Sequence, residues 1–180
     1  MKKVVILIFL LVSGCGYTTK GFFYKEDKIL IRPVVNKISI ASEDRMYSSE
    51  DRMYSSQVYY PILIEKKFSN ALINKFNVDG RLKVVSAQKE NSLKLECEII
   101  AYRKEGLRYT SADEVEEQKL YLDVHMTLYD SDEEIFIDRN VTGDTSYYLT
   151  GSNAKSETAA QTDLIDDTAK RILEVIVENW

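Results

Sequence analysis

Between Leu120 and Tyr129 the sequence alternates without interruption, with Leu120, Leu122, Val124, Met126 and Leu128 set against Tyr121, Asp123, His125, Thr127 and Tyr129. Successive side chains of a strand point to opposite faces, so this run predicts a strand with one face on a core and the other in water. The pattern also occurs upstream, where Leu93, Leu95, Cys97, Ile99 and Ala101 oppose Lys94, Glu96, Glu98, Ile100 and Tyr102. It returns after the turn Asp130-Ser131-Asp132-Glu133, with Ile135, Ile137 and Val141 against Phe136, Asp138 and Asn140. Three such runs in succession predict an antiparallel meander with a single buried face. The polar stretch from Arg108 to Gln118 reads as a long loop between the first two.

That buried face needs a cover, and two segments have the right period. Pro61 suits a first helical turn, and Ile64, Phe68, Ala71, Leu72 and Phe76 then form one stripe, stopped at Gly80. A second helix starts near Ser156, with Leu164, Ile165, Ala169, Ile172, Leu173, Ile176 and Trp180 on its apolar side. Lys28 to Val35 reads as a strand ending or edged at Pro33, and Arg81 to Ala87 as another. A strand, helix, strand order makes these two parallel if they are neighbours. The expectation is a single α+β domain over residues 28–180. It is a two-layer sandwich with two amphipathic helices on one face of a four- to five-stranded, mostly antiparallel sheet.

Composition narrows the chemistry. One His and two Cys rule out a multi-ligand Cys/His zinc site, and 24 Lys and Arg against 29 Asp and Glu speak against nucleic acid. The few glycines are isolated, so no phosphate-cradling loop is present. His125 falls on the polar side of its strand beside Asp123 and reads as a solvated side chain, since no second His or nucleophile accompanies it. Cys97 falls among Leu95 and Ile99 and reads as a buried, inert thiol. These features predict a non-enzymatic protein without a cofactor.

The first fifteen residues read as an address. Lys2 and Lys3 precede an apolar run from Val4 to Val12, too short to span a bilayer at about 1.5 Å per residue. Val12-Ser13-Gly14-Cys15 then resembles a bacterial lipobox, which makes residues 1–14 a signal peptide, Cys15 the lipid attachment site and residues 15–27 a tether. Removing residues 1–14 takes two lysines with them and leaves 166 residues at a net charge of −7. Gly16 after the cysteine resembles the sorting pattern of the outer membrane. A tandem repeat, EDRMYSS at 43–49 and again at 50–56, reads as a tolerated duplication between the first strand and the first helix.

Several stretches together resemble the LptE family of lipopolysaccharide-assembly lipoproteins. They are Cys15-Gly16-Tyr17, Ile31-Arg32-Pro33-Val34-Val35-Asn36, the run from Phe68 to Phe76 continuing through Asp79-Gly80-Arg81-Leu82-Lys83-Val84-Val85, Leu95 to Tyr102, and Asp163 to Trp180. The resemblance implies an outer-membrane lipoprotein, lipid-anchored and facing the periplasm or a barrel lumen. It would partner the LptD β-barrel as plug and assembly factor and contact lipopolysaccharide. The other reading is an anchored α+β lipoprotein that regulates a periplasmic enzyme or serves another envelope or secretion complex. Candidate partner-facing aromatics are Tyr102, Tyr121, Tyr129 and Phe136 on the outer sheet face. Candidate lipopolysaccharide contacts, chosen from charge alone, are Lys89 and Lys94.

Overall fold

The computed structural model describes residues 26–38 and 61–178. The signal peptide, Cys15, the EDRMYSS duplication and Trp180 lie outside them. The meander is the frame: β4 (Ser92–Tyr109), β5 (Val115–Tyr129) and β6 (Ile135–Tyr148) pair antiparallel in chain order. β4 also accepts the earlier strands on its other side. β1 (Lys28–Ile31) and β2 (Val35–Asn36) both run parallel to it, and β3 (Lys83–Val85) pairs parallel with β1 at the sheet edge. The expected parallel crossover between the first strand and the strand after the helix is therefore present.

Two details depart from the sequence reading. First, the single strand expected over 28–35 is two strands. Pro33 supplies no N–H, and the chain steps away from β4 after Arg32 donates to the Leu95 carbonyl at 2.9 Å. The pairing resumes at Val35, with the Val34 N–H meanwhile held by Ser69 Oγ at 3.0 Å. Among the described residues the sheet thus has six strands. Second, the expected long loop from Arg108 to Gln118 is mostly hairpin. Gly106 pairs with Gln118, Arg108 with Glu117 and Tyr109 with Val115, and a tight turn closes where the Thr110 N–H donates to the Glu114 carbonyl at 2.8 Å. Polar composition there marks a two-sided, solvated ribbon rather than an absence of pairing.

Both helices pack on one sheet face. α1 (Ile64–Asp79) buries Ile64, Phe68, Leu72 and Phe76. It ends at Gly80, whose φ of 75° places it in the left-handed region and whose N–H caps Phe76 O at 3.0 Å. α2 (Glu157–Glu178) starts behind Ser156, whose Oγ accepts the Ala159 N–H at 3.2 Å. Its stripe from Ala160 through Ile176 lies on Leu120, Leu122, Val124 and Met126, all fully buried. α2 comes close to the sheet at Gly143, where an added Cβ would stand 1.9 Å from Thr168 Oγ1 and 2.8 Å from its Cα. Beside this contact Arg171 pairs with Asp144 at 2.6 Å and with Asp167 at 2.7 Å, and Asp167 accepts the Asp144 N–H at 3.0 Å.

Strand β4 changes phase in its middle. Ile99 faces Val124 and Ala101 faces Asp123, so Ile100 is an extra, unpaired residue. Beyond this bulge Ala101 takes the outer face, and Tyr102 turns inward opposite Leu122. The expectation of Tyr102 as a partner-facing aromatic is thus corrected: it belongs to the core at 5% exposure. Its hydroxyl is buried without a hydrogen-bond partner among the described residues. An unsatisfied buried hydroxyl costs about 1–3 kcal/mol. Tyr102→Phe should accordingly raise the urea midpoint or leave it unchanged, with a gain of about 1 kcal/mol; a clear loss would reveal a bonded hydroxyl.

Candidate interaction surface

The face of the meander turned away from the helices is where chemistry can happen, because the hairpin register places its side chains in fixed rows. Arg103 on β4 opposes Tyr121 on β5, which opposes Asp144 on β6. The Arg103 guanidinium lies 4.7 Å from the Tyr121 ring centre and bonds Asp123 at 3.1 Å. From its other side Lys119 stands 5.1 Å from the same ring and 2.9 Å from Asp144. Asp123 also accepts the Thr142 hydroxyl at 2.6 Å. These charge-assisted bonds hold the Asp144 carboxyl below, and the Arg103 and Lys119 side chains above, their ordinary ranges, with hydrogen bonding to the partner as the main cause.

The pattern repeats toward both ends of the sheet. Lys94 lies 4.0 Å over the Tyr129 ring and 3.6 Å from Glu96, and Arg108 lies 5.9 Å from the Tyr148 ring near the hairpin tip. Cation–π contacts of this exposure contribute about 0.5–1 kcal/mol and hold the rings in one orientation. The surface is therefore a set of ordered tyrosine faces between paired charges.

Of the residues singled out from sequence, Tyr121, Tyr129 and Lys94 come together here. Phe136 is 42% exposed at a second bulge, where Leu128 faces Ile137 and Tyr129 faces Ile135. Lys89 is separate, exposed in the turn before β4, where Ser92 Oγ holds its backbone at 3.2 and 2.6 Å. Arg103, Lys119, Arg108 and Tyr148 were missed, because the cross-strand register that brings cation to ring is invisible in a single strand's alternation. His125 sits in the same face, with Nε2 3.0 Å from Asp138 and Nδ1 2.9 Å from the Asn140 amide oxygen.

Nothing in this arrangement resembles a catalytic pair. Cys97 is buried at 2% exposure, and desolvation pushes its thiol up to about 12, which keeps it from being a nucleophile near neutrality. Among the described residues no group of three His, Cys, Asp or Glu side chains is placed to hold a metal. The face presents tyrosine rings and paired charges on a continuously hydrogen-bonded three-stranded meander.

Comparison with known proteins agrees with this architecture. The model of the LptE family, described as lipopolysaccharide-assembly, matches residues 53–178. A minor lipoprotein of Acinetobacter baumannii is 17% identical with a TM-score of 0.51, over 85% of this chain and 94% of that one. A lipoprotein B of Nitrosomonas europaea is 13% identical with a TM-score of 0.54, over 90% of each chain. A hypothetical protein of Chlamydia trachomatis is 10% identical with a TM-score of 0.53, over 84% of this chain and 96% of that one. At these identities the likeness is one of fold. No curated protein matches the sequence.

Proposed function

Because the chain belongs to the LptE family of lipopolysaccharide-assembly proteins, we propose that it serves as the non-catalytic lipoprotein partner of an LptD-like outer-membrane β-barrel, occupying the barrel and assisting its assembly. The observation that carries this reading is the extent of the family match, which takes in both helices and all three strands of the meander. A lipid at Cys15 would hold the domain at the membrane, with stabilisation of about 0.8 kcal/mol per buried methylene.

Tyr121, Tyr129 and Phe136 are the proposed barrel-facing aromatics, since ordered tyrosine rings offer large contact area at little entropic cost. Lys94 is tied to Tyr129 and Glu96, so it serves better as part of that face than as a phosphate ligand. Exposed Lys89 is the better placed of the two for a lipopolysaccharide phosphate.

The test is purification of the full chain from detergent-solubilised outer membranes. The expected result is a stoichiometric complex with a β-barrel of far larger mass, and an N-terminal peptide carrying acyl mass on Cys15. Recovery of the chain alone after mild crosslinking would overturn the partnership, and crosslinking to a periplasmic enzyme would favour the regulator reading.

A further inference from the structure

The step at Pro33 has a second effect. It opens a cavity of about 300 Å³ between the kinked strand and α1, lined by Ile31, Arg32, Pro33, Val34, Glu65, Lys66, Ser69 and Ile73. Most cations of the described residues have a carboxylate within 4 Å, but Arg32, Lys66, Lys67, Lys83, Lys89 and Arg139 have none among the described residues. Arg32 and Lys66 line this cavity, where Glu65 is the only carboxylate, and Lys67 is the next residue of α1.

Beside them the chain displays aliphatic side chains to solvent. Ile62 is 74% and Leu63 54% exposed, directly before the first turn of α1, and Val35 and Ile73 are exposed nearby. Leu63 has a φ of 58°, an unusual conformation for a bulky residue. Adjacent aliphatic tips flanked by unpaired cations are the signature of an interfacial lipid contact, whereas protein hot spots favour aromatic and Arg anchors seated in pockets.

We propose that this corner is a bilayer-docking patch. Ile62 and Leu63 enter the headgroup boundary of an anionic membrane, and Arg32, Lys66 and Lys67 meet the lipid phosphates. Reach permits this together with the acyl anchor. Residues 15–25 extend on the order of 35 Å at most, and Ile31 lies only about 17 Å along the strand from Glu26. The orientation rests on lipidation at Cys15; the patch itself does not.

The experiment therefore uses the full chain with Cys15→Ser, which carries no lipid. Flotation with vesicles of phosphatidylcholine containing phosphatidylglycerol should show binding that weakens with salt and is lost on phosphatidylcholine alone. Each cation at an anionic surface contributes about fivefold in partition. The triple variant R32Q/K66Q/K67Q should thus lose on the order of a hundredfold, and I62S/L63S should lose at least tenfold. K83Q/R139Q, which alters exposed cations elsewhere, should bind as the parent does. An Ile62→Trp substitution in a Trp180→Phe background should shift its emission to the blue on anionic vesicles. Equal flotation of parent and triple variant would overturn the proposal. So would unchanged vesicle binding with loss of barrel co-purification, which would make the corner a protein interface. Failure of the barrel partnership alone would leave these vesicle results standing.

Discussion

Gly143→Ala is expected to destabilise the protein by about 2–3 kcal/mol, although it adds a single methyl group at the sheet edge. The new Cβ would lie 1.9 Å from Thr168 Oγ1, 2.7 Å from Thr168 Cβ and 2.8 Å from its Cα. A rotamer change can remove the first overlap, but the last involves helix backbone. α2 would have to lift from β6, loosening Leu164 and Ile172 from the core as well as the Arg171 bridge to Asp144. Thr168→Ala added to Gly143→Ala should recover little of the loss, because the Cα remains too close. Urea unfolding of the three variants, followed by far-UV circular dichroism, measures this. Substantial rescue by Thr168→Ala would show that the contact is only a side-chain clash.

The second large effect is alkaline. Burial pushes Cys97 from an ordinary value near 9, and Tyr102 and Tyr147 from near 10, up to about 12 in each case. The folded state thus favours the protonated forms. Their contribution is fully present below the unfolded values of about 9 to 10 and is lost as pH rises from there through 12. For Cys97 alone a shift of this size corresponds to about 4 kcal/mol, on the order of a typical domain's whole stability. Unfolding midpoints should hold near neutrality and fall steeply above pH 9, and Cys97→Val should flatten the part of the fall between pH 9 and 10. An alkaline limb identical in the variant would show that the thiol is hydrated. Tyr147 should contribute less cleanly, because its hydroxyl donates to Gln118 at 2.7 Å.

Where regularity was long, the sequence was sufficient to place the fold. Alternation along Leu120–Tyr129 identified β5 and its inner face without error, and the stripe from Ile64 to Phe76 identified α1 and the side it buries. The misreadings share one cause, a local break in periodicity. Strict alternation puts Tyr102 outside, but Ile100 is an extra residue that reverses the phase, and an inserted residue leaves no compositional mark. The hairpin tip reads as a loop in sequence because its side chains are solvated on both faces, so no apolar phase identifies a strand there. Tyr121 and Tyr129 could be assigned to a face, but the cations that hold them come from neighbouring strands and required the register. Arg32 and Lys66 were legible only as charges, since they are far apart in sequence and meet across a step in β1–β2 whose geometry Pro33 only hinted at.

The position of β1 also sets a timetable. A chain emerging N-terminus first presents Lys28–Ile31 before any of its neighbours exists, yet both edges of this strand are filled by residues that come much later, 83–85 on one side and 92–95 on the other. The meander, by contrast, closes through adjacent hairpins and can form quickly once its residues are available. The first strand made must therefore wait for Lys83–Val85 and Ser92–Leu95 before it can be seated. Until then Ile29 and Ile31, which the finished fold buries, have no sheet neighbour on either side.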